Sequence, residues 1–352
     1  MHLRRYFERS VALAPLLLGT VIFGVYVASL ASGLALDARA LHIGFDNPRF
    51  LNHAQSVFVP WLVVAFWPSE KQPLWRWLAT SAAVMHVALA YLGVARGTAI
   101  AWLAACLLLA LAGRGAQARR LAMVMFFGLI VGWLAFDALP SVLGRTWEPA
   151  FANPAEITRA HSRDELWAAA LAMSTSSPWL GAGPMQFAAL EGAKATHPHN
   201  IYLQWAAEYG WPVCILASTL LVGALGRGLW LSRRSAANDD GRLAGLAAAC
   251  TAALIDGFVS GNFVMPISQI WIALAFGQLL AASRFAGVPP WVTPPPSVVR
   301  IAVAAILLAS QLGLLAVAAR QGLDRDPRLH GETPIPGPHE KPRPRFWLNG
   351  QL

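Results

Sequence analysis

The chain has 352 residues, of which 56% are hydrophobic and only 13% charged. A soluble domain carries about 25% charged residues, so an ordinary water-soluble globule is excluded and a helix bundle in lipid is expected. The net charge of +9 does not point to nucleic acid, because the arginines stand at the ends of apolar runs and not along one soluble face.

A membrane helix needs about 20 mostly apolar residues. In chain order, the apolar runs predict an all-α, polytopic transmembrane bundle of about nine spans: 11–36, 54–67, 75–94, 97–113, 121–139, 201–226, 243–260, 264–283 and 300–319. Three arginines (Arg4, Arg5, Arg9) precede the first run, which is too long for the apolar core of a signal peptide. The second run is short and contains Pro60, which predicts a tilted or broken helix. Lys71 and Arg76, Arg114 to Arg120, Arg227 to Arg242, and Arg284 all fall on the side of the N-terminus if the count is nine. Lysine and arginine mark cytoplasmic loops, so the N-terminus is expected inside and the tail outside.

Four regions follow: spans one to five over 1–139, one long loop on the outer face over 140–200, the later spans over 201–319, and a polar, proline-rich tail over 320–352. Within the loop, Ser162 to Met173 reads as a helix with Asp164 and Glu165 in its first turn. Its apolar side (Leu166, Trp167, Ala170, Leu171) is expected on the membrane surface. Pro178 to Pro184 reads as a glycine-proline turn and lacks the Lys and Ser/Thr of a phosphate loop. Cys106, Cys214 and Cys250 lie inside apolar runs and form no CxxC pair, so they read as small apolar filler.

The outer face carries positive charge that topology does not require: Arg49, Arg96, Arg145, Arg159, Arg163 and Lys194. An anionic substrate would account for it. Arg96 stands between two apolar runs, where an ionisable group is costly and tends to face a cavity or partner; the alternative is an arginine reaching to lipid phosphates. Thr196, His197, Pro198, His199 and Asn200 precede a span. Histidine moves protons near neutral pH. Asn200, Gln204 and Glu208 share a helical face at i, i+4, i+8, which predicts a wet cavity. A His-x-His pair also suits a metal, but no third ligand lies close in sequence. Asp256 either pairs with one of the arginines or serves in capping and packing.

These residues together resemble the O-antigen ligase and polymerase superfamily of bacterial membrane glycosyltransferases. The resemblance runs through Gly44 to His53, Ala95 to Gly97, Arg163 to Trp167 with Gly181 to Pro184, His197 to Gln204 with Glu208 and Gly210, and Asp256 to Gln269. It implies transfer of a glycan from undecaprenyl diphosphate to an acceptor hydroxyl, on the periplasmic face of the bacterial inner membrane. Ligation to lipid A-core is the favoured acceptor reaction; repeat-unit polymerisation and protein O-oligosaccharyl transfer are the alternatives. It implies no metal and no cofactor. Carried over by position, the catalytic residues are His199, Arg96 and Arg163, with Arg159, Arg49, His197, Asn200, Gln204, Glu208 and Asp256 binding donor or glycan. His197 and His199 are not separated as the base. Family members commonly have about a dozen spans against about nine here, so the chain is expected to start where a fourth span would stand. A reading of another class, a transporter or flippase of a lipid-linked anion, predicts discontinuous helices and repeat symmetry; no internal repeat is evident.

Overall fold

In the sequence, apolar residues crowd into runs that small residues punctuate, and the computed structural model converts those runs into helices that pack through the small positions. It describes residues 2–34, 36–42, 45, 48–67, 70–148, 161–190, 195–234 and 241–285. All of these belong to one compact unit; a second, Gly287–Arg343, lies outside the described residues, as do the expected span at 300–319 and the tail.

The main helices are α1 (His2–Ser32), α2 (Pro48–Pro60, continued by a π-helical segment Trp61–Phe66), α3 (Pro73–Leu92), α4 (Arg96–Leu111), α5 (Gly115–Trp133, continued through Val142), α6 (His161–Ser176), α7 (Ile201–Arg234), α8 (Arg242–Asp256) and α9 (Pro266–Phe285). Two residue pairs, Leu36–Trp147 and Asp37–Glu148, form a short parallel ribbon. Among the described residues, four helical stretches suit a membrane crossing by length and composition: Tyr6–Ser32, Gly115–Val142, Ile201–Arg234 and Pro266–Arg284; Arg96–Leu111 is a shorter apolar helix. The expected spans at 54–67, 75–94 and 243–260 are also helical.

α8 forms the centre. Ala244, Ala247, Ala248, Ala249, Ala252 and Ala253 are fully buried, and the helix packs against α4, α2 with its π segment, α7 and α9. Small side chains let backbones approach closely, which matters where lipid offers no hydrophobic drive between helices. A Cβ on Gly245 would stand 2.5 Å from the backbone of Val64 and Ala65, so α8 touches the π segment directly. α5 uses the same device against α3: Gly128 and Gly132, one turn apart, seat Val87 and Tyr91.

A polar contact crosses this core. His86, fully buried, accepts from Gln55 Nε2 through Nδ1 at 3.1 Å, and its Nε2 meets the Pro15 carbonyl at 2.8 Å. Only the tautomer protonated on Nε2 satisfies both. One side chain thereby ties α1, α2 and α3 together. His86→Leu leaves the Gln55 amide unmatched, which should cost about 1–3 kcal/mol and lower the melting temperature in detergent. Adding Gln55→Leu should recover part of that loss; a double mutant no better than the single would count against the network.

The two ends differ in chemistry. At one, Arg9 pairs with Glu70 at 2.9 Å and Arg242 with Glu8 at 3.0 Å, Arg114 donates to Ser232, and Arg76 and Arg120 flank the Trp67 ring at 4.7 and 3.7 Å. The basic clusters expected on one side thus share one end. α3 and α8 run from there to the other end, and α4 runs back.

Candidate active site

At that other end, backbone geometry decides which side chains meet. α3 closes on Gly93 and Val94, whose φ is +49°. A Cβ on Gly93 would lie 2.7 Å from the Asn52 amide, so glycine lets α3 turn over α2. The turn delivers Arg96, exposed, as the first residue of α4. Gly97 follows, and its Cβ position lies 3.1 Å from Asp256 Oδ1. The end of α8 thereby rests on the first turn of α4.

The His-Pro-His loop is held from three directions. Trp167 Nε1 on α6 donates to the Pro198 carbonyl at 2.9 Å. Ile201 N–H donates to the Gly257 carbonyl at 2.9 Å, and the Tyr202 hydroxyl to Leu254 at 3.0 Å, joining the loop to the end of α8. Asn200 Oδ1 accepts from the Tyr202 and Leu203 N–H groups at 3.0 and 3.1 Å, as an N-cap does.

The two histidines separate cleanly. His197 is buried, its ring lies on Gly261, and its Nδ1 accepts the His199 backbone N–H at 3.1 Å. His199 is half-buried and has φ +52°. That conformation is uncommon for a residue with a side chain and is sustained only by surrounding contacts. The rings meet edge to face at 4.2 Å. Burial, and then the charges of His197, Arg163, His53 and Arg49, hold the His199 pKa well below the usual histidine range. His199 is therefore neutral and able to accept a proton.

Arg163, half-buried on α6, has its pKa lowered by burial and by Arg96, against an opposing pull from Asp256. Arg49 is exposed at the start of α2. Arg49, Arg96, Arg163, His197, His199 and Asp256 thus gather at one place, drawn from α2, α4, α6, α8 and the loop before α7. Asp256 is 1% exposed, and its carboxylate lies alongside the Ser56 and Ser260 hydroxyls without a well-formed hydrogen bond. His53 and Asn52, both buried beside them, carry side-chain nitrogens without hydrogen bonds. Neither stood among the expected site residues, although Arg49 and His53 share a helix face at i, i+4.

Other expected residues have different partners. Glu208 Oε1 accepts the Phe187 N–H at 3.2 Å, and Gln204 Nε2 reaches Glu208 Oε2 at 3.4 Å; these two brace the segment after the glycine-proline turn. Arg145 donates to the Leu30 and Leu34 carbonyls at the end of α1. Arg159 and Lys194 lie outside the described residues. Among the described residues no group of three or more His, Cys, Asp or Glu side chains is placed to hold a metal ion.

The turn itself sits on a break in α7. Gly210 has φ +84° and ψ 164°, and Pro212 follows. The Ala182 and Gly183 N–H groups donate to the Ala207 and Glu208 carbonyls at 2.8 and 3.0 Å, and Trp211 N–H donates to Pro178 at 2.9 Å. The turn thus takes up the groups that the break leaves free. The side of α6 expected on the membrane surface divides: Leu166 and Ala170 are buried with Phe187 and Ala207, while Trp167 is half-buried and Leu171 remains exposed.

Residues 81–218 match the family model described as O-antigen ligase. That stretch begins within α3, includes Arg96, Arg163, His197 and His199, and ends in α7. No curated protein and no solved structure matches the chain. The match supports the O-antigen ligase and polymerase superfamily.

Proposed function

We propose that this chain, assigned to the O-antigen ligase and polymerase superfamily by residues 81–218, moves a glycan from undecaprenyl diphosphate to a hydroxyl of lipid A-core on the periplasmic face of the inner membrane. The observation that carries the reading is the meeting of Arg96, Arg163 and the neutral His199 at one end of the bundle.

The roles follow from the bonds that change. The acceptor hydroxyl oxygen attacks the anomeric carbon, whose bond to the diphosphate oxygen breaks. The diphosphate leaves with that electron pair. It is already a good leaving group and needs charge stabilisation, which arginine forks give to phosphate oxygens. In this reading Arg96 and Arg163 take the diphosphate, Arg49 adds positive charge beside them, and His199 takes the hydroxyl proton. His197 orients His199 from behind. Arg159 is a further loop arginine for the donor, and Asp256 anchors Arg163. Asn200, Gln204 and Glu208 act at one remove, by fixing the loop and the turn.

A flippase of a lipid-linked anion would aim the free N–H groups of a broken helix at its cargo. At the Gly210 break the Trp211 N–H donates to the Pro178 carbonyl and Pro212 carries no N–H, which counts against that use.

The test is complementation of a ligase-deficient strain at matched membrane expression. Wild type should restore capped lipopolysaccharide, and Arg163→Ala and Arg96→Ala should not. Wild type that extends repeat units or glycosylates protein instead would move the acceptor within the same family. Both arginine variants working as wild type would overturn the site.

A further inference from the structure

Outside the clustered arginines and histidines, two of the most exposed large apolar side chains belong to the turn. Trp179 is 76% exposed and Leu180 86%. The turn is firmly mounted: it is bonded to both sides of the α7 break, and a Cβ on Gly181 would stand 2.3 Å from the Glu208 backbone. Two large apolar groups are thus presented to the surroundings by rigid backbone.

The setting is equally apolar. No charged residue occurs from Leu166 through Leu190, nor from Tyr209 through Gly226. The half-exposed Tyr209 and Trp211 flank the break. Below them Val213, Ile215, Leu216 and Leu220 continue as the exposed side of a helix long and apolar enough to cross a membrane. A contiguous exposed apolar surface marks a partner or a membrane. Tryptophan and tyrosine collect where the bilayer meets water. Continuity with the flank of α7 selects lipid as the occupant.

We propose that the Pro178–Gly183 turn is a membrane-inserted wedge, with Trp179 and Leu180 buried among lipid chains at the boundary although the turn is not part of a span. The wedge sets the depth of α6, which ends at Ser176: the Ser177 N–H donates to the Met173 carbonyl in the helix, and the Ser177 carbonyl accepts from Gly181 N–H in the turn.

The proposal is tested on the full chain in phosphatidylcholine–phosphatidylglycerol vesicles. Cys106, Cys214 and Cys250 are replaced by alanine, and a spin label is placed at Leu180→Cys, Leu216→Cys or Glu165→Cys. The label at 180 should resemble that at 216, relaxed by oxygen and shielded from a water-soluble nickel chelate, while the label at 165 should respond to the chelate. A label at 180 that behaves like that at 165 overturns the wedge. If the cysteine-free chain does not fold, bromolipid quenching of tryptophan fluorescence decides. Trp179→Phe should remove part of the lipid-quenchable signal; an unchanged lipid-quenchable signal, with loss of an iodide-quenchable component, overturns the proposal.

Discussion

Replacing His199 by asparagine should lower glycan transfer by about 10²–10⁴-fold, the range of a lost general base, and leave the fold intact. Asparagine tolerates the left-handed region that His199 occupies at φ +52°, so this variant removes the imidazole without straining the loop. His199→Ala should lose as much activity; it keeps the left-handed strain that His199 already carries and gives up the ring contacts that offset it. The pH profile separates a base from a spacer. Because burial and the facing positive groups hold the His199 pKa low, kcat/KM should stay level as pH falls through about 6.5, the ordinary histidine value, and decline only below it. The stability sign agrees. A histidine depressed in the fold contributes fully above the unfolded value, and that contribution is lost as pH falls below it. Steady-state rates of the asparagine variant equal to wild type would remove His199 from the chemistry.

Gly181→Ala should destabilise the protein by about 2–6 kcal/mol, combining about 1–3 kcal/mol for the left-handed backbone with about 1–3 kcal/mol for overpacking. Gly181 has φ +71°, and the atoms a Cβ would meet, at 2.3 to 2.4 Å, are backbone atoms of Glu208 and Tyr209 that cannot swing aside. Gly210→Ala meets the Trp179 carbonyl at 2.4 Å from the opposite side and should be comparably harmful. Gly24 and Gly223 supply the control. Both are helical with nothing near the Cβ position, so alanine there should be neutral or stabilising by up to about 1 kcal/mol. Melting of the purified variants in one detergent decides it, and a Gly181→Ala protein that melts with wild type would mean the turn is not anchored as described.

Much of the bundle was readable because lipid leaves few options: apolar runs became helices, and the basic clusters predicted on one side do share an end. Charge also pointed to the candidate site: Arg49, Arg96 and Arg163, singled out because the expected topology gave them no reason to be there, lie near one another in the fold. The chemistry of α7 was harder. The i, i+4, i+8 spacing of Asn200, Gln204 and Glu208 put them on one face, but spacing cannot say what covers a face. Gln204 and Glu208 lie under the turn, 4% and 1% exposed. The break was also signalled, by Gly210 two residues before Pro212, yet a long apolar run outweighed it. On α6 half of the expected apolar side, Leu166 and Ala170, packs on Phe187 and Ala207 instead of facing outward, and spacing alone could not tell it from Leu171, which stays exposed. His53 closed one of the resembling stretches yet received no role, because two of the charged groups around it, Arg163 and His197, come from distant parts of the chain.

The burial of α8 on every side bears on how the protein is made. A segment with alanine on its contact faces and with Arg242 and Asp256 at its ends gains little by leaving the translocon for lipid alone. Its neighbours α2, α4 and α7 all precede it in the ribosome's output, so they form the slot before it emerges. Among the described helices that enclose it, only α9 arrives afterwards, to shut the slot from the remaining side.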